Sequence, residues 1–215
     1  MRFRAVIFDL GGVVFPSPID GFREYERRVG LPHRFISDVI IGSDEDGAWA
    51  RLERGEVALE EFAIAFEAEC AVAGEAVRAA DMFAALQGGE GGGHPAMLTA
   101  IARIREEGLK TAALTNNWVA DDGAGMQDRV PGLSDVFDVM IESSVVGLRK
   151  PDPRIYELAC SELAVSPTEA VFLDDLGVNL KPARAMGMTT IKVAGVDAAL
   201  AELEAALGFS LSETA

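Results

Sequence analysis

Lysine is scarce in this sequence: Lys110, Lys150, Lys181 and Lys192 are the only four in 215 residues. Nineteen Lys plus Arg stand against 35 Asp plus Glu, a formal net charge of −16, and no basic cluster is longer than a pair such as Arg27-Arg28. A polyanion binder must offset phosphate repulsion with a local basic patch, so the expectation is no nucleic acid and no anionic membrane as partner. Cysteine is nearly absent. Cys70 and Cys160 fall in unrelated segments with no Cys-x-x-Cys spacing and no adjacent histidine, which excludes a zinc framework and a disulfide scaffold and points to a reducing compartment. No window reaches the roughly 18 apolar residues that a spanning helix requires. The opening Met1-Arg2-Phe3-Arg4 runs into a short apolar segment closed by Asp9, too short and too soon acidic for a signal peptide. A cytoplasmic protein is expected.

What is present is an ordinary globular mixture, 49% hydrophobic and 25% charged, in a chain long enough for one domain or a domain with an insertion. Five short, partly β-branched apolar runs read as buried strands: residues 4–8, 111–114, 139–141, 170–173 and 189–193. Helical patterns lie between the later ones. Residues 97–107 carry Met97, Ile101 and Ile104 on one face and stop at Gly108; another helix starts at Pro153 with Asp152 as its N-cap. This alternation predicts an α/β fold, a three-layer, Rossmann-like parallel sheet with helices on both faces. After Asp9 the crossover helix is missing. Phe15-Pro16-Ser17-Pro18 leads instead into about seventy residues that read as helix only, closed by Gly88-Gly89-Glu90-Gly91-Gly92-Gly93. The expected division is a core of residues 1–16 and 93–215 with a helical insertion at 17–92. Sixteen acids and seven arginines give that insertion a net charge of −9, and it is a candidate lid over the strand ends.

In an open parallel sheet ligands bind beyond the carboxyl ends of the strands, and several of these strands end in a polar residue. The first runs Val6-Ile7-Phe8-Asp9-Leu10-Gly11-Gly12, the second Ala113-Leu114-Thr115-Asn116-Asn117-Trp118, and the fourth Leu173-Asp174-Asp175-Leu176-Gly177. Lys150 stands in Gly147-Leu148-Arg149-Lys150-Pro151-Asp152-Pro153, just before a helix. Asp9, Asp174 and Asp175 would repel one another if clustered without a cation, and hard oxygen donors suit Mg²⁺. Phosphoryl transfer needs its charge neutralised, a task that Mg²⁺, Lys150, the Thr115 hydroxyl and the Asn116 amide could share, with Asp9 as nucleophile.

These four segments resemble the motifs of the haloacid dehalogenase superfamily: a nucleophilic Asp, a Thr or Ser, a Lys, and an acidic pair, in that order. Leu114-Thr115-Asn116-Asn117-Trp118, Val146-Gly147-Leu148-Arg149-Lys150-Pro151-Asp152-Pro153 and Phe172-Leu173-Asp174-Asp175-Leu176-Gly177-Val178-Asn179 look most like the phosphatase-type N-terminal domain of soluble epoxide hydrolases and the related domain of acyl-CoA dehydrogenase fusions. The resemblance spans residues 3–15 and 95–195. It is weak in the insertion, which corresponds to the family's C1-type cap. It implies a Mg²⁺-dependent phosphatase acting on a small phosphorylated metabolite through an aspartyl-phosphate on Asp9. The metal would be held by Asp9, the Gly11 carbonyl, Asp175 and, directly or through water, Asp174. Lys150 would bridge nucleophile and phosphate, Thr115 and Asn116 would bind phosphate oxygens, and Asn179 would orient the loop after the acidic pair.

One position departs from the family pattern. Where its phosphatases usually carry a second Asp, the acid/base group, this chain has Gly11. General acid–base catalysis is worth about 10²–10⁴-fold, so a slow or leaving-group-dependent enzyme is expected, with an anomeric or acyl phosphate as the easier substrate. A branch of bacterial sugar phosphatases resembles the chain in having Gly there. A silent metal- and phosphate-binding module and a dehalogenase, whose second position is non-acidic, are the alternatives. Trp118, Phe15 and Phe22 are candidates to line the pocket. Glu24 with Arg27, His33 and His94 read as surface or helix-entry residues.

Overall fold

The computed structural model describes residues 3–87, 92–119, 126, 130 and 132–212. Most of the glycine-rich stretch that closes the insertion, residues 88–91, lies outside them. Among the described residues the chain forms β1 (Ala5–Phe8), α1 (Pro18–Val29), α2 (Phe35–Gly42), α3 (Ala48–Glu53), α4 (Leu59–Val72), α5 (Ala79–Gln87), α6 (Pro95–Glu106), β2 (Lys110–Thr115), α7 (Leu133–Val136), β3 (Val139–Glu142), α8 (Ser143–Val146), α9 (Pro153–Leu163), β4 (Ala170–Asp174), α10 (Gly177–Ala185), β5 (Thr189–Lys192) and α11 (Val196–Leu207). All five expected strands are present, shifted by a residue or so. They form one parallel sheet in the order β3-β2-β1-β4-β5.

The apolar runs of the central strands β1 and β4 are continuous because the sheet is covered on both faces there, whereas the edge strand β5 leaves Lys192 exposed. Along β1, Val6 and Phe8 enter one core with Met97, Ile101 and Ile104 of α6 and Leu203 of α11. Ala5 and Ile7 enter the other with Ile155, Tyr156 and Leu163 of α9 and Leu180 of α10. Helix starts and stops follow local chemistry. Asp152 accepts a hydrogen bond from Arg154 N (2.9 Å) ahead of Pro153, His94 holds the N-cap position of α6, and Gly108, at φ +83°, follows that helix.

Helices α1–α5, all placed between β1 and α6, build an apolar cluster of their own around Trp49, with Phe22, Tyr25, Phe62, Phe66 and Met82. Part of the acidity of this segment is structural. Glu26 is buried and accepts from the backbone of Arg34 and Ile36, each at 2.9 Å. Glu69 takes the amide of Ala48 at 2.8 Å and Glu67 that of Ala79 at 2.9 Å, so each fixes the start of a neighbouring helix. The two thiols lie in separate cores, and burial pushes Cys70 up to about 12 and Cys160 up to about 11. No helix among the described residues is long and apolar enough to cross a membrane.

Candidate active site

The chain runs from β1 outward to β2 and β3, then returns to place β4 on the other side of β1. The switch point of the sheet therefore lies between β1 and β4, where the carboxyl ends leave a crevice. Asp9 and Asp174 stand there. Asp9 N donates to Leu173 O (2.9 Å), which carries the strand pairing one residue past β1 and fixes the Asp9 backbone. Its Oδ1 accepts from Leu10 N at 2.7 Å and from Lys150 Nζ at 2.8 Å. The same ammonium, 1% exposed, reaches Asp174 Oδ2 at 2.7 Å, so Lys150 is no solvated surface charge. Asn179 Nδ2 straddles both Asp174 oxygens at 3.1 and 3.0 Å, and Leu176 N donates to Asp174 Oδ1 at 2.8 Å. Tyr156 holds Asn179 in turn, its hydroxyl donating to the Asn179 carbonyl at 2.7 Å. Asp175 faces the first residues after β1; Ser17, ahead of α1, donates to its Oδ2 at 3.4 Å.

The three carboxylates bring one oxygen each within 4.8 Å of the others. With Lys150 as the one ammonium bonded to the set among the described residues, the fully ionised group would carry −2. The electrostatics reflect that excess. Burial pushes Asp9 up to about 8, opposed by Lys150 and reinforced by Asp174 and Asp175. Burial and the Asp174 charge raise Asp175 to about 6. Burial works against the Lys150 charge, but Asp9 and Asp174 outweigh it and its pKa is raised. A divalent cation would neutralise the group, and an all-oxygen donor set suits Mg²⁺. The backbone leaves room beside it: a Cβ on Gly12 would lie 2.3 Å from Asp175 Oδ2, and Gly12 has φ +78°. Gly12→Ala is accordingly expected to displace Asp175 and to lose about 1–2 kcal/mol from the backbone alone. Chemical denaturation and Mg²⁺ titration calorimetry would both register the change; wild-type values in both would refute this account of Gly12.

Thr115, 3% exposed, ends β2 and Asn116 follows it at the same edge of the sheet. The Asn116 side chain is turned toward the lysine loop. Its Oδ1 accepts from Lys150 N (2.8 Å) and its Nδ2 donates to Lys150 O (3.0 Å) and to Glu53 Oε2 (3.2 Å). The main-chain N–H is then the Asn116 group suited to an anion. Glu53 and Arg149 carry no signal in the sequence that separates them from the other charges; only Trp49, one helical turn before Glu53, hinted at a buried face.

A cavity of about 930 Å³ opens at Gly11, Thr115 and Asn116, its walls including apolar Phe15, Leu31, Leu86 and Trp118 and charged Asp20 and Arg23. Trp118 also packs on Trp49, ring centroids 5.9 Å apart, so it serves both cavity and packing. Phe22 does not line the cavity. It is 4% exposed with its ring edge against Trp49 at 5.4 Å, because α1 turns this residue into the helical cluster. Glu24, Arg27 and His33 do border the cavity, and Arg27 Nε bonds to the Arg23 carbonyl at 3.3 Å.

Comparison with known proteins agrees with the motifs. Residues 3–187 match the family model for haloacid dehalogenase-like hydrolases. Acyl-CoA dehydrogenase family member 10 of Mus musculus is 41% identical over 97% of the chain, which covers 20% of that protein. Bifunctional epoxide hydrolase 2 of Sus scrofa is 37% identical over 100% of the chain, which covers 40% of it. The chain thus spans well under half the length of these relatives. Phosphatase MT3486 of Mycobacterium tuberculosis is matched almost end to end, 31% identical over 87% of the chain and 86% of the relative. Among solved structures, a haloacid dehalogenase family enzyme of Bacteroides thetaiotaomicron in complex with magnesium and inorganic phosphate covers 88% of this chain and 93% of its own, with a TM-score of 0.57 at 20% identity. Family model, sheet order and relatives agree, and the chain belongs to the haloacid dehalogenase-like hydrolases.

Proposed function

We propose that the chain is a Mg²⁺-dependent phosphomonoester hydrolase with Asp9 as nucleophile and residues 17–92 as its cap. The observation that carries this reading is the largely buried set of three carboxylates and one lysine, short of two positive charges, with Gly11, two residues past Asp9, on the wall of a large cavity. Asp9, Asp175 and the Gly11 carbonyl would hold the metal. Asp174 already accepts from Lys150, Leu176 and Asn179, so Asp175 is the better direct ligand of the pair. Bound Mg²⁺ would supply the neutralising charge for the nucleophile and the phosphoryl oxygens.

The Asp9 carboxylate attacks phosphorus as the bond to the leaving oxygen breaks. Lys150 keeps that carboxylate aligned, while the Thr115 hydroxyl and the Asn116 main-chain N–H bind phosphoryl oxygens. Water then attacks the aspartyl-phosphate, releasing phosphate and restoring Asp9. With Gly11 in place of an acid, the leaving oxygen draws its proton from water, which favours good leaving groups. Apolar side chains such as Phe15, Leu31, Leu86 and Trp118 share the cavity wall with Asp20, Arg23, Glu24 and Arg27, so a leaving group with an apolar body and a polar part would find partners for both. The test is a phosphate-ester screen with Mg²⁺ on the wild type and Asp9→Asn.

Metal and proton should compete at this site. Asp9, raised to about 8 without metal, binds a proton in the folded state that the unfolded chain releases near pH 4. Its contribution to stability therefore falls as pH rises from about 4 to 8. The Tm increase on adding Mg²⁺ is expected to grow across that range. An increase independent of pH would contradict the assignment.

Gly11 also favours dehalogenation as a second reading, in which Asp9 attacks carbon. Such chemistry needs no cation, so activity that persists in chelator would select it, and loss of activity in chelator would exclude it.

A further inference from the structure

We infer that Glu53 is a positioning residue that links the seating of the helical cap to the placement of Lys150. Glu53 ends α3 and is 7% exposed. Its two oxygens take three donors from separate parts of the molecule. Oε1 accepts from Trp49 Nε1 (2.9 Å), the centre of the cap's aromatic cluster. Oε2 accepts from Arg149 Nε (2.7 Å), 96 residues away, and from Asn116 Nδ2 (3.2 Å). The path continues without a gap. The Asn116 carboxamide pairs with both the N–H and the carbonyl of Lys150, as a strand neighbour would, and Lys150 Nζ lies between Asp9 and Asp174.

The surrounding backbone fixes the approach. Two residues beyond Glu53, Gly55 adopts φ +68°, and a Cβ there would meet the Ser144 carbonyl of α8 at 2.2 Å. The end of α3 thus touches the core through bare backbone, and Glu53 is the buried carboxylate at that contact; the exposed Glu45 adds a longer ion pair to Arg149 at 3.5 Å. When the cap is seated, Glu53 orients Asn116 and Arg149, and Asn116 sets the main chain of Lys150. When the cap lifts, Asn116 loses its charged acceptor and Arg149 loses its buried partner, so the lysine loop slackens. The site would be fully set only with the cap closed, which confines the attack on phosphorus to the state that excludes bulk water.

The role of Lys150 is taken from the proposed reaction, so the test has one arm that needs no turnover. Glu53→Gln keeps size but turns an NH₂ toward other donors, and hydrogen bonds to charged groups carry enough energy for a ten- to hundredfold effect, roughly. In metal-free protein, exchange of the Lys150 backbone N–H, which is bonded to Asn116, is expected to accelerate by about tenfold. The exposed cap variant Glu60→Gln should match the wild type. Gly55→Ala, which leaves every side chain of the site intact and forces α3 off Ser144, should act as Glu53→Gln does and serves if that variant fails to fold. With Mg²⁺ and p-nitrophenyl phosphate, Glu53→Gln should lower kcat more than it changes KM. Combining it with Asn116→Ala should cost no more than Asn116→Ala alone, because the two act in series. Wild-type exchange at Lys150 in folded Glu53→Gln, or additive losses in the double variant, would overturn the inference. Absence of turnover in the wild type would remove the hydrolase reading, and the exchange arm would still decide the linkage.

Discussion

Asp9→Asn is expected to lower phosphomonoester turnover by at least about 10³-fold, the scale on which losing a covalent nucleophile acts. The replacement is nearly isosteric, but a carboxamide does not displace a leaving group from phosphorus. It also removes one of the two carboxylates that hold Lys150 Nζ. The fold should survive. Burial already favours the neutral form of Asp9 in the absence of metal, and a neutral amide at the same point costs the core little. Initial rates with p-nitrophenyl phosphate and Mg²⁺, alongside a thermal melt, separate the two effects. A folded variant that keeps even a few per cent of the activity would assign the chemistry to another group.

The second large effect runs in the opposite direction. Gly11→Asp is expected to accelerate hydrolysis of an alkyl phosphate by about 10²–10⁴-fold, the usual worth of a positioned acid/base group. p-Nitrophenyl phosphate, whose leaving group needs little protonation, should gain far less. The structure allows the change: Gly11 borders the cavity, and a Cβ there would meet Pro18 Cδ at 3.1 Å, a ring at the start of α1 that can shift by tenths of an ångström. The contrast with Gly12, where a Cβ strikes Asp175 itself, shows that the two glycines are constrained for different reasons. Wild-type protein should accordingly hydrolyse the nitrophenyl ester much faster than the alkyl ester. Equal rates on the two esters in the wild type, or equal gains in Gly11→Asp, would defeat the idea that a missing acid limits this enzyme.

The sequence determined the sheet, because a strand buried on both faces needs an apolar run, as at β1 and β4, and each of the five runs was short, partly β-branched and bounded. It also showed where charge would collect, since Asp9 and Asp174 stand at strand ends that a parallel sheet delivers to one edge, with Lys150 ahead of a helix. It did not show which residues of the insertion reach that edge. Helical periodicity places Phe22, Glu24, Arg27 and Glu53 on faces without saying what each face meets. Only packing turned Phe22 into the Trp49 cluster and Arg27 toward the cavity. The contact of Glu53 with Arg149 spans 96 residues, and Asn116 meets Lys150 across 34. No local spacing encodes either. Strand identity is a property of a few neighbouring side chains and is written locally, whereas the contacts that Asp9, Asn116 and Asp174 make with Lys150 exist only in the folded chain.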